Sequence, residues 1–269
     1  MDKVVFLSES EDPIELDDVL DDVQLLHVDS REDLAHTLLD YQDIVLLVVE
    51  PAENHDGLEA LVRSIERCFP MLHIAVLARR RAPNGTSASD SAETAEEPSN
   101  QSFLIPRSSS LGEMQRQLRE YTTSITDRNR RRHNRFNWPL SGMLTLPGGD
   151  PVTLKVRSIS AGGAYLETDG TVPPTGSAGT LTLYFQNFRV ETECEVLDNR
   201  GGASNLPPGF GVRFHNLSEP VGEFIDGVVN DALMEILLDD TAEPSVPSLD
   251  EEDLVLSFGD EIELLSESD

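Results

Sequence analysis

The sequence predicts an α/β domain with a doubly wound parallel sheet, then a six-stranded antiparallel β-barrel with a C-terminal helix, and finally a disordered acidic tail. Apolar runs alternate with helix-like stretches over residues 1–127, which indicates parallel strands with helices on both faces. Residues 128–238 contain short strand-like runs separated by Gly, Pro and Asp turns, as in barrels and sandwiches. Residues 239–269 hold twelve acidic residues and no basic one, which predicts disorder.

Five short apolar runs in the first domain have the length and flanking residues of buried strands. They comprise residues 4–7, 23–28, 44–49, 73–78 and 103–105. The spacing of apolar residues predicts helices at residues 14–22, 32–41, 57–69 and 111–125. Ser110 followed by Glu113 is a capping-box pattern at the start of the last helix. Residues 79–101 lack apolar periodicity and are rich in Ser, Ala, Glu and Pro, so we predict a disordered insertion there.

Strand–helix units in this number and order resemble the receiver domain of two-component response regulators. The resemblance implies a phosphoacceptor aspartate at the end of the third strand, where this chain has Val48. It also implies a lysine before Pro106, where this chain has Ile105. We therefore interpret residues 1–127 as a pseudo-receiver, a docking domain that cannot be phosphorylated in the usual way.

The second domain is predicted to consist of short strands and one helix. The six predicted strands comprise residues 139–146, 152–159, 164–168, 179–186, 189–197 and 210–214. Residues 189–196 alternate polar and apolar side chains, as a strand with one wet face should. After Ser218, apolar residues recur at helical spacing to about Leu238, so this helix should pack on the barrel.

A cluster of arginines lies between the two predicted domains. Five arginines fall within residues 128–135 of a chain whose formal net charge is -30. Guanidinium groups crowded in this way repel one another unless an anion or an acidic partner sits among them, and arginine is suited to bidentate capture of phosphate. The alternative interpretation is a solvated hinge between the domains.

A second polar motif follows in the predicted strand–turn–strand of residues 152–168. Here Ser158, Ser160 and Gly163 surround a turn of small residues. Glycine tolerates positive φ and has no Cβ, so the backbone N–H groups of such a turn can approach a phosphate closely. By itself, the turn is more typical of an ordinary hairpin.

Together the two motifs resemble the PilZ domain, a family of bacterial receptors for cyclic di-GMP. That family carries Arg-x-x-x-Arg before its first strand and Asp/Asn-x-Ser-x-x-Gly at a strand turn. Arg131 and Arg135 match the first motif, and Arg128 with Arg132 offers an alternative register that is spaced less well. Ser158 stands where the family has Asp or Asn, and a hydroxyl replaces only part of the hydrogen bonding of those groups.

The resemblance implies that cyclic di-GMP binds at this pair of motifs. Arginine can fork onto phosphate oxygens or onto the O6/N7 edge of guanine, and its plane can stack on the base. The implied ligand-binding residues are Arg131, Arg135, Ser158, Ser160 and Gly163, with Arg130, Arg132, His133 and Gly162 as secondary candidates.

Charge and residue spacing argue against several other classes of function. Apart from the arginine cluster, no basic stretch could follow a nucleic-acid backbone or an anionic membrane. We predict no signal peptide at the N-terminus and no membrane span, because the apolar runs are too short to cross a bilayer. Cys68 and Cys194 lie in different predicted domains and need not meet. Cysteines that form no disulfide indicate a reducing cytosol. The histidines show no metal-ligand spacing and no nucleophile stands beside a base, so we predict neither a cofactor nor catalysis.

Three functional hypotheses follow from these features. In the first, a cytosolic signalling protein binds cyclic di-GMP and transmits this to protein partners that control motility, polarity or surface behaviour. In the second, the protein is a nucleotide-independent adaptor that acts through the pseudo-receiver and the acidic tail. In the third, it is a response regulator with an unorthodox phosphoacceptor. The tail itself is either a solubilising extension or a short motif that orders on a partner.

Overall fold

The computed structural model describes residues 3–9, 23–51, 57–78, 102–106, 110–124, 133–197, 207–248 and 262–264. The chain divides into two compact units, residues 1–131 with 236–241 and residues 132–235 with 242–269. The domain boundaries that the sequence suggests, after residues 127 and 238, stay predictions.

The first unit contains a five-stranded parallel sheet. Its strands are β1 (Lys3–Ser8), β2 (Gln24–Val28), β3 (Ile44–Glu50), β4 (His73–Ala78) and β5 (Ser102–Pro106). Their spatial order is β2-β1-β3-β4-β5, and every pairing is parallel. This is one of the two common orders of doubly wound α/β folds, so the predicted fold class is confirmed for this region.

Three helices of the first unit are described. They are α1 (Arg31–Asp40), α2 (Leu58–Cys68) and α3 (Leu111–Ser124). Ser30 caps α1, because its side-chain oxygen accepts a hydrogen bond of 3.0 Å from the N–H of Asp33. Ser110 caps α3 in the predicted manner through the N–H of Glu113, at 3.3 Å. The predicted helix at 14–22 and the predicted insertion at 79–101 lie outside the described residues.

The second unit contains a closed antiparallel barrel. Its six strands are β6 (Leu140–Thr145), β7 (Val152–Ser160), β8 (Gly163–Glu167), β9 (Ala178–Tyr184), β10 (Phe188–Val196) and β11 (Gly209–His215). Pairing between β10 and β11 closes the sheet, so the predicted six-stranded barrel is confirmed. Along β10 the side chains alternate between buried and accessible, which matches the predicted wet face.

Helix α4 (Glu219–Leu238) follows the barrel where the sequence predicts it. It begins after Ser218, whose carbonyl accepts a hydrogen bond of 2.9 Å from the N–H of Gly222. Phe224 of α4 meets the fully buried ring of Phe188 on β10 edge to face, with ring centroids 5.5 Å apart. Within the described residues, no helix combines the length and hydropathy that a bilayer crossing requires.

A short strand, β12 (Ile262–Leu264), lies within the segment predicted to be a disordered tail. It pairs antiparallel with residues 188–190 of β10. The reason is that β11 pairs only with residues 193–196 on that edge of β10, so the edge continues beyond the reach of β11. Backbone pairing of this kind is largely independent of side-chain type, and a composition dominated by acids does not reveal it. For these three residues, strand pairing replaces the predicted disorder.

Candidate functional site

The two predicted motifs are joined by a pair of backbone hydrogen bonds. The N–H of Phe136 donates to the carbonyl of Ile159 at 3.0 Å, and the N–H of Ile159 donates to the carbonyl of Phe136 at 2.9 Å. Phe136 directly follows Arg135, and Ile159 lies between Ser158 and Ser160. We call residues 128–135 the arginine segment. Its C-terminal end is therefore held against the strand that carries the second motif.

A side-chain contact joins the same two segments. A Cβ added to Gly162 would lie 2.9 Å from Cδ2 of His133, closer than real Cβ contacts occur. The imidazole of His133 therefore lies against the turn at Gly162, where a side chain would collide with it. His133 and Gly162 were secondary candidates, and the structure brings them into contact with each other.

The arginine segment is also fastened to helix α4. Nδ1 of His133 lies 3.0 Å from Oδ2 of Asp226, and Nδ2 of Asn134 donates to Oδ1 of Asn230 at 2.9 Å. Asp226 and Asn230 are four residues apart, so they lie on the same face of the helix. We call these two contacts the α4 latch. The latch holds the residues that immediately precede Arg135.

The turn of the second motif is built by internal contacts. The hydroxyl of Ser160 is buried and donates to the carbonyl of Gly163 at 3.2 Å. Gly163 has a φ of 156°, and a Cβ there would lie 2.1 Å from the carbonyl oxygen of Val212 on β11. Ser160 therefore stabilises the hairpin turn, and Gly163 allows the close approach of β8 to β11.

Ser158 lies next to an irregularity in strand β7. The pairing of β7 with β8 shifts register between Val156 and Ser158, which leaves Arg157 as an extra residue on β7. Bulges of this kind re-aim side chains and are common beside functional sites. The guanidinium of Arg157 is half exposed and pairs with the carboxylate of Glu167. Ser158 is partly buried.

A cavity of about 730 Å³ lies beside Ser158. This volume is in the range of small-molecule sites. Its lining residues are Asn137, Trp138, Pro139, Leu140, Ser141, Lys155, Val156, Arg157, Ser158 and Pro207. The lining combines a buried, mainly apolar part with two exposed cationic side chains, Lys155 and Arg157.

The predicted site residues fall into two groups. Arg135, Ser158, Ser160 and Gly163 are described, together with the secondary candidates His133 and Gly162. Arg130, Arg131 and Arg132 lie outside the described residues. The sequence analysis did not identify Asp226 and Asn230. Their only sequence signal is that two polar residues stand one helical turn apart, in a helix that is predicted from its apolar residues.

In the first unit, the predicted phosphoacceptor and lysine positions hold apolar, buried residues. Val48 and Ile105 are both fully buried within strands of the parallel sheet. Glu50, two residues beyond Val48, is also fully buried, and its Oε2 accepts a hydrogen bond of 2.9 Å from the hydroxyl of Ser8. Val48 is therefore part of the core of the parallel sheet.

One protein family matches part of the chain. Residues 129–229 match the family described as the PilZ domain. The structure is similar to that of the Bacillus subtilis inhibitor of motility MotI/DgrA, at 16% identity and a TM-score of 0.34 over 38% of this chain. It is also similar to Escherichia coli YcgR in complex with c-di-GMP, at 15% identity and a TM-score of 0.32 over 39% of this chain. The matches span 51% and 46% of those two proteins.

A third similar structure is that of Borreliella burgdorferi PlzA in complex with c-di-GMP. It has 13% identity and a TM-score of 0.26, and the match covers 42% of this chain and 45% of that protein. No curated protein matches the chain.

Proposed function

Residues 129–229 form a PilZ domain, and on that premise we propose that the protein is a signalling receptor for cyclic di-GMP. The observation that carries the proposal is the pair of hydrogen bonds between Phe136 and Ile159. These bonds hold Arg135 beside the strand segment that contains Ser158 and Ser160, so a ligand at Arg135 would lie within reach of the second motif.

We assign different roles to the residues of the two motifs. Arg131 and Arg135 bind the ligand, because guanidinium groups fork onto phosphate oxygens and onto the O6/N7 edge of guanine. Ser158, which lines the cavity, offers a hydroxyl where the family has a carboxylate or an amide. Ser160 and Gly163 serve the site by shaping the turn, because the hydroxyl of Ser160 is already engaged within it.

The α4 latch provides a route from the ligand to the rest of the domain. His133 and Asn134 precede Arg135 and contact Asp226 and Asn230 of α4. A ligand that draws the arginine segment into one conformation therefore favours one placement of α4. Such a shift needs contacts that are made in only one arrangement, and the arginines supply them.

We propose that the output is a change in protein–protein contacts rather than catalysis. The pseudo-receiver and the acidic tail are the proposed contact surfaces, and both suit basic or grooved partners. The proposed setting is the cytosol, and the proposed outputs are motility, polarity or surface behaviour.

Calorimetric titration of the full chain with cyclic di-GMP tests the proposal. The double substitution Arg131→Ala/Arg135→Ala should weaken binding at least about 100-fold, because each hydrogen bond to a charged group contributes about 1.5–3 kcal/mol. The matched control, Arg63→Ala/Arg67→Ala, removes the same charge from exposed positions of α2 and should leave affinity unchanged. Unaltered affinity of the first double variant would reject this site.

The adaptor alternative rests on Ser158. If that serine marks a lost site, the wild type should show no binding while Ser158→Asp binds cyclic di-GMP. If the site is functional, the wild type binds and Ser158→Asp binds more tightly. Absence of binding in both proteins would leave the adaptor as the better description.

A further inference from the structure

Strand β10 has an edge that the barrel itself covers only in part. Within the described residues, β11 pairs with β10 from Glu193 to Val196 and does not reach residues 188–192. An open edge of this kind presents a row of backbone N–H and C=O groups with which another extended segment can pair. The open part of β10 is therefore suited to accept one more strand.

The backbone groups of Arg189 point towards this open edge. The carbonyl of Phe188 accepts a hydrogen bond of 2.9 Å from the N–H of Phe185, so the backbone groups of Phe188 point to the β9 side. Successive residues of an antiparallel strand point these groups to opposite sides, and those of Arg189 consequently face away from β9. Glu263 stands opposite Arg189 in the pairing of β12 with β10. Glu263 is thus the residue of β12 whose N–H faces β10, whereas the N–H of Leu264 points away.

The residue types along β12 fit its register on β10. Two apolar residues of β12 stand opposite two buried apolar residues of β10, as the pairs Ile262 with Val190 and Leu264 with Phe188. Between them, the acidic Glu263 stands opposite Arg189, which is the one basic residue of β10. A shift of two residues along β10 would place Glu263 opposite Glu191 instead, and like charges directly opposite each other are unfavourable. The charges along β10 therefore favour the register that is observed.

The acidic tail also contacts the turn that leads into β10. The N–H of Gln186 donates to the carbonyl of Pro247 at 3.4 Å. Gln186 lies two residues before Phe188, where the pairing with β12 reaches its end. Both contacts lie within the second unit. Two separate parts of the tail therefore meet the barrel at the same end of β10.

From these observations we propose that the open edge of β10 is a docking site for an extended peptide, and that the acidic tail of the same molecule occupies it through residues 262–264. The site selects a strand with an acidic residue between two apolar ones, because main-chain hydrogen bonds supply affinity and the cross-strand residues fix the register. A partner that carries such a strand must displace the tail, so docking of the partner and release of the tail are one event. The inference does not depend on the nucleotide, and its failure leaves the proposed function standing.

Amide hydrogen exchange in the full chain tests the pairing one backbone group at a time. Glu263→Pro removes the N–H that faces β10, so exchange at Arg189 should become at least about tenfold faster. The N–H of Val190 points to β9 and is an internal control whose exchange should not change. The matched control Glu263→Ala keeps the backbone N–H and should speed exchange at Arg189 by no more than about threefold. Unchanged exchange at Arg189 in the Glu263→Pro protein, or equal effects of the two substitutions, would overturn the proposal.

Dilution shows whether the docked strand belongs to the same molecule. Exchange at Arg189 in the wild type should not depend on protein concentration, because an intramolecular contact is unaffected by dilution. Protection that fades on dilution would show that the strand comes from a second copy, and it would overturn the intramolecular assignment.

A synthetic peptide of residues 257–269 tests whether the edge accepts a strand from outside. It should bind the full-length Glu263→Pro protein at least about tenfold more tightly than the wild type, where the tethered tail competes at a high effective concentration. N-methylation of the peptide at Glu263 removes the N–H that faces β10 and should weaken binding about tenfold. N-methylation at Leu264, whose N–H points away, should change affinity by less than about twofold. Equal affinity for the two proteins, equal effects of the two methylations, or no binding to the Glu263→Pro protein would overturn the docking site.

Discussion

The two units differ in the burial and polarity of their predicted site positions. In the parallel sheet of the first unit, β3 is buried at all seven positions, and it contains Val48, which lies at the predicted phosphoacceptor position. In the barrel, Arg135 is exposed and Ser158 is only partly buried. At the predicted site positions, the first unit has apolar packing, whereas the second has polar groups within reach of solvent. A fold therefore does not imply the function of its relatives.

The difference has a structural cause. A strand in the middle of a parallel sheet is covered on both faces, so an unused polar position there becomes part of the core and favours an apolar residue. The outer face of a barrel strand remains wet, so a polar residue can stay there without a desolvation penalty. Sites on barrel exteriors can consequently be lost or regained with little effect on stability.

The largest expected effect comes from introducing an aspartate at the predicted site position of each unit. Val48→Asp should destabilise the first unit by about 3–5 kcal/mol, because the carboxylate would be buried without a partner. Ser158→Asp should change stability by less than about 0.5 kcal/mol, because that position borders solvent. Urea unfolding followed by circular dichroism measures both. Equal losses in the two variants would remove the basis of the comparison.

The second effect concerns the glycine that closes the barrel. Gly163→Ala should destabilise the barrel by about 2–4 kcal/mol, because the new Cβ would lie 2.1 Å from the carbonyl oxygen of Val212. The control Gly227→Ala places a methyl group in open space on α4 and should stabilise the protein by up to about 1 kcal/mol. Thermal unfolding distinguishes the two, and a Gly163→Ala barrel as stable as the wild type would contradict the close strand approach.

A smaller effect is expected from the α4 latch. A double-mutant cycle of His133→Ala and Asp226→Ala should give a coupling energy of about 0.5–1 kcal/mol, because both side chains are partly exposed. Each single variant should also weaken cyclic di-GMP binding, since the arginine segment loses an anchor. Gln117→Ala removes the amide that donates to Glu113 in α3 and serves as the control outside the barrel. Additive effects of His133→Ala and Asp226→Ala would indicate that the latch carries no coupling.

The last prediction concerns the two thiols, one in each unit, whose effect at neutral pH is the smallest. Burial raises the pKa of Cys68 from 9.0 to about 12 despite the opposing charge of Arg67, and burial raises the pKa of Cys194 to about 11. The folded protein therefore holds these protons more tightly than the unfolded chain. Their contribution to stability is complete below about pH 9 and is lost as the pH rises through 11 to 12.

Thiol labelling at pH 8 exploits the same difference. Both thiols should react slowly in the folded protein and rapidly in denaturant, because the thiolate is the reactive form. In urea below the unfolding transition, cyclic di-GMP should slow the labelling of Cys194 in the barrel and leave Cys68 unaffected. Equal protection of the two thiols would show that the units open together.

Much of the fold is predictable from the sequence because each unit has a clear hydrophobic period. The predicted strand at 73–78 coincides with β4, and the closing strand at 210–214 lies within β11. Strand β12 could not be predicted, because backbone pairing holds it and its three residues have no period of their own. The α4 latch could not be predicted either. It joins Asn134 to Asn230, which are 96 positions apart, and no local sequence pattern indicates such a contact.

Roles within the candidate site were harder to predict than its location. The motif spacing brings Ser158, Ser160 and Gly163 to one hairpin, but it does not say which of them faces a ligand. That depends on the bulge at Arg157, which breaks the simple alternation of faces along β7.

The contact between Gly163 and Val212 has a consequence for how this barrel can drift over generations. A lineage that stopped binding nucleotide would still have to keep a glycine at position 163, because the strand packing demands it. The glycine therefore records descent and an intact barrel. The packing of the strands makes no such demand on the residue at position 158, so under the proposed function that position is the one to compare when asking whether a descendant still responds to the ligand.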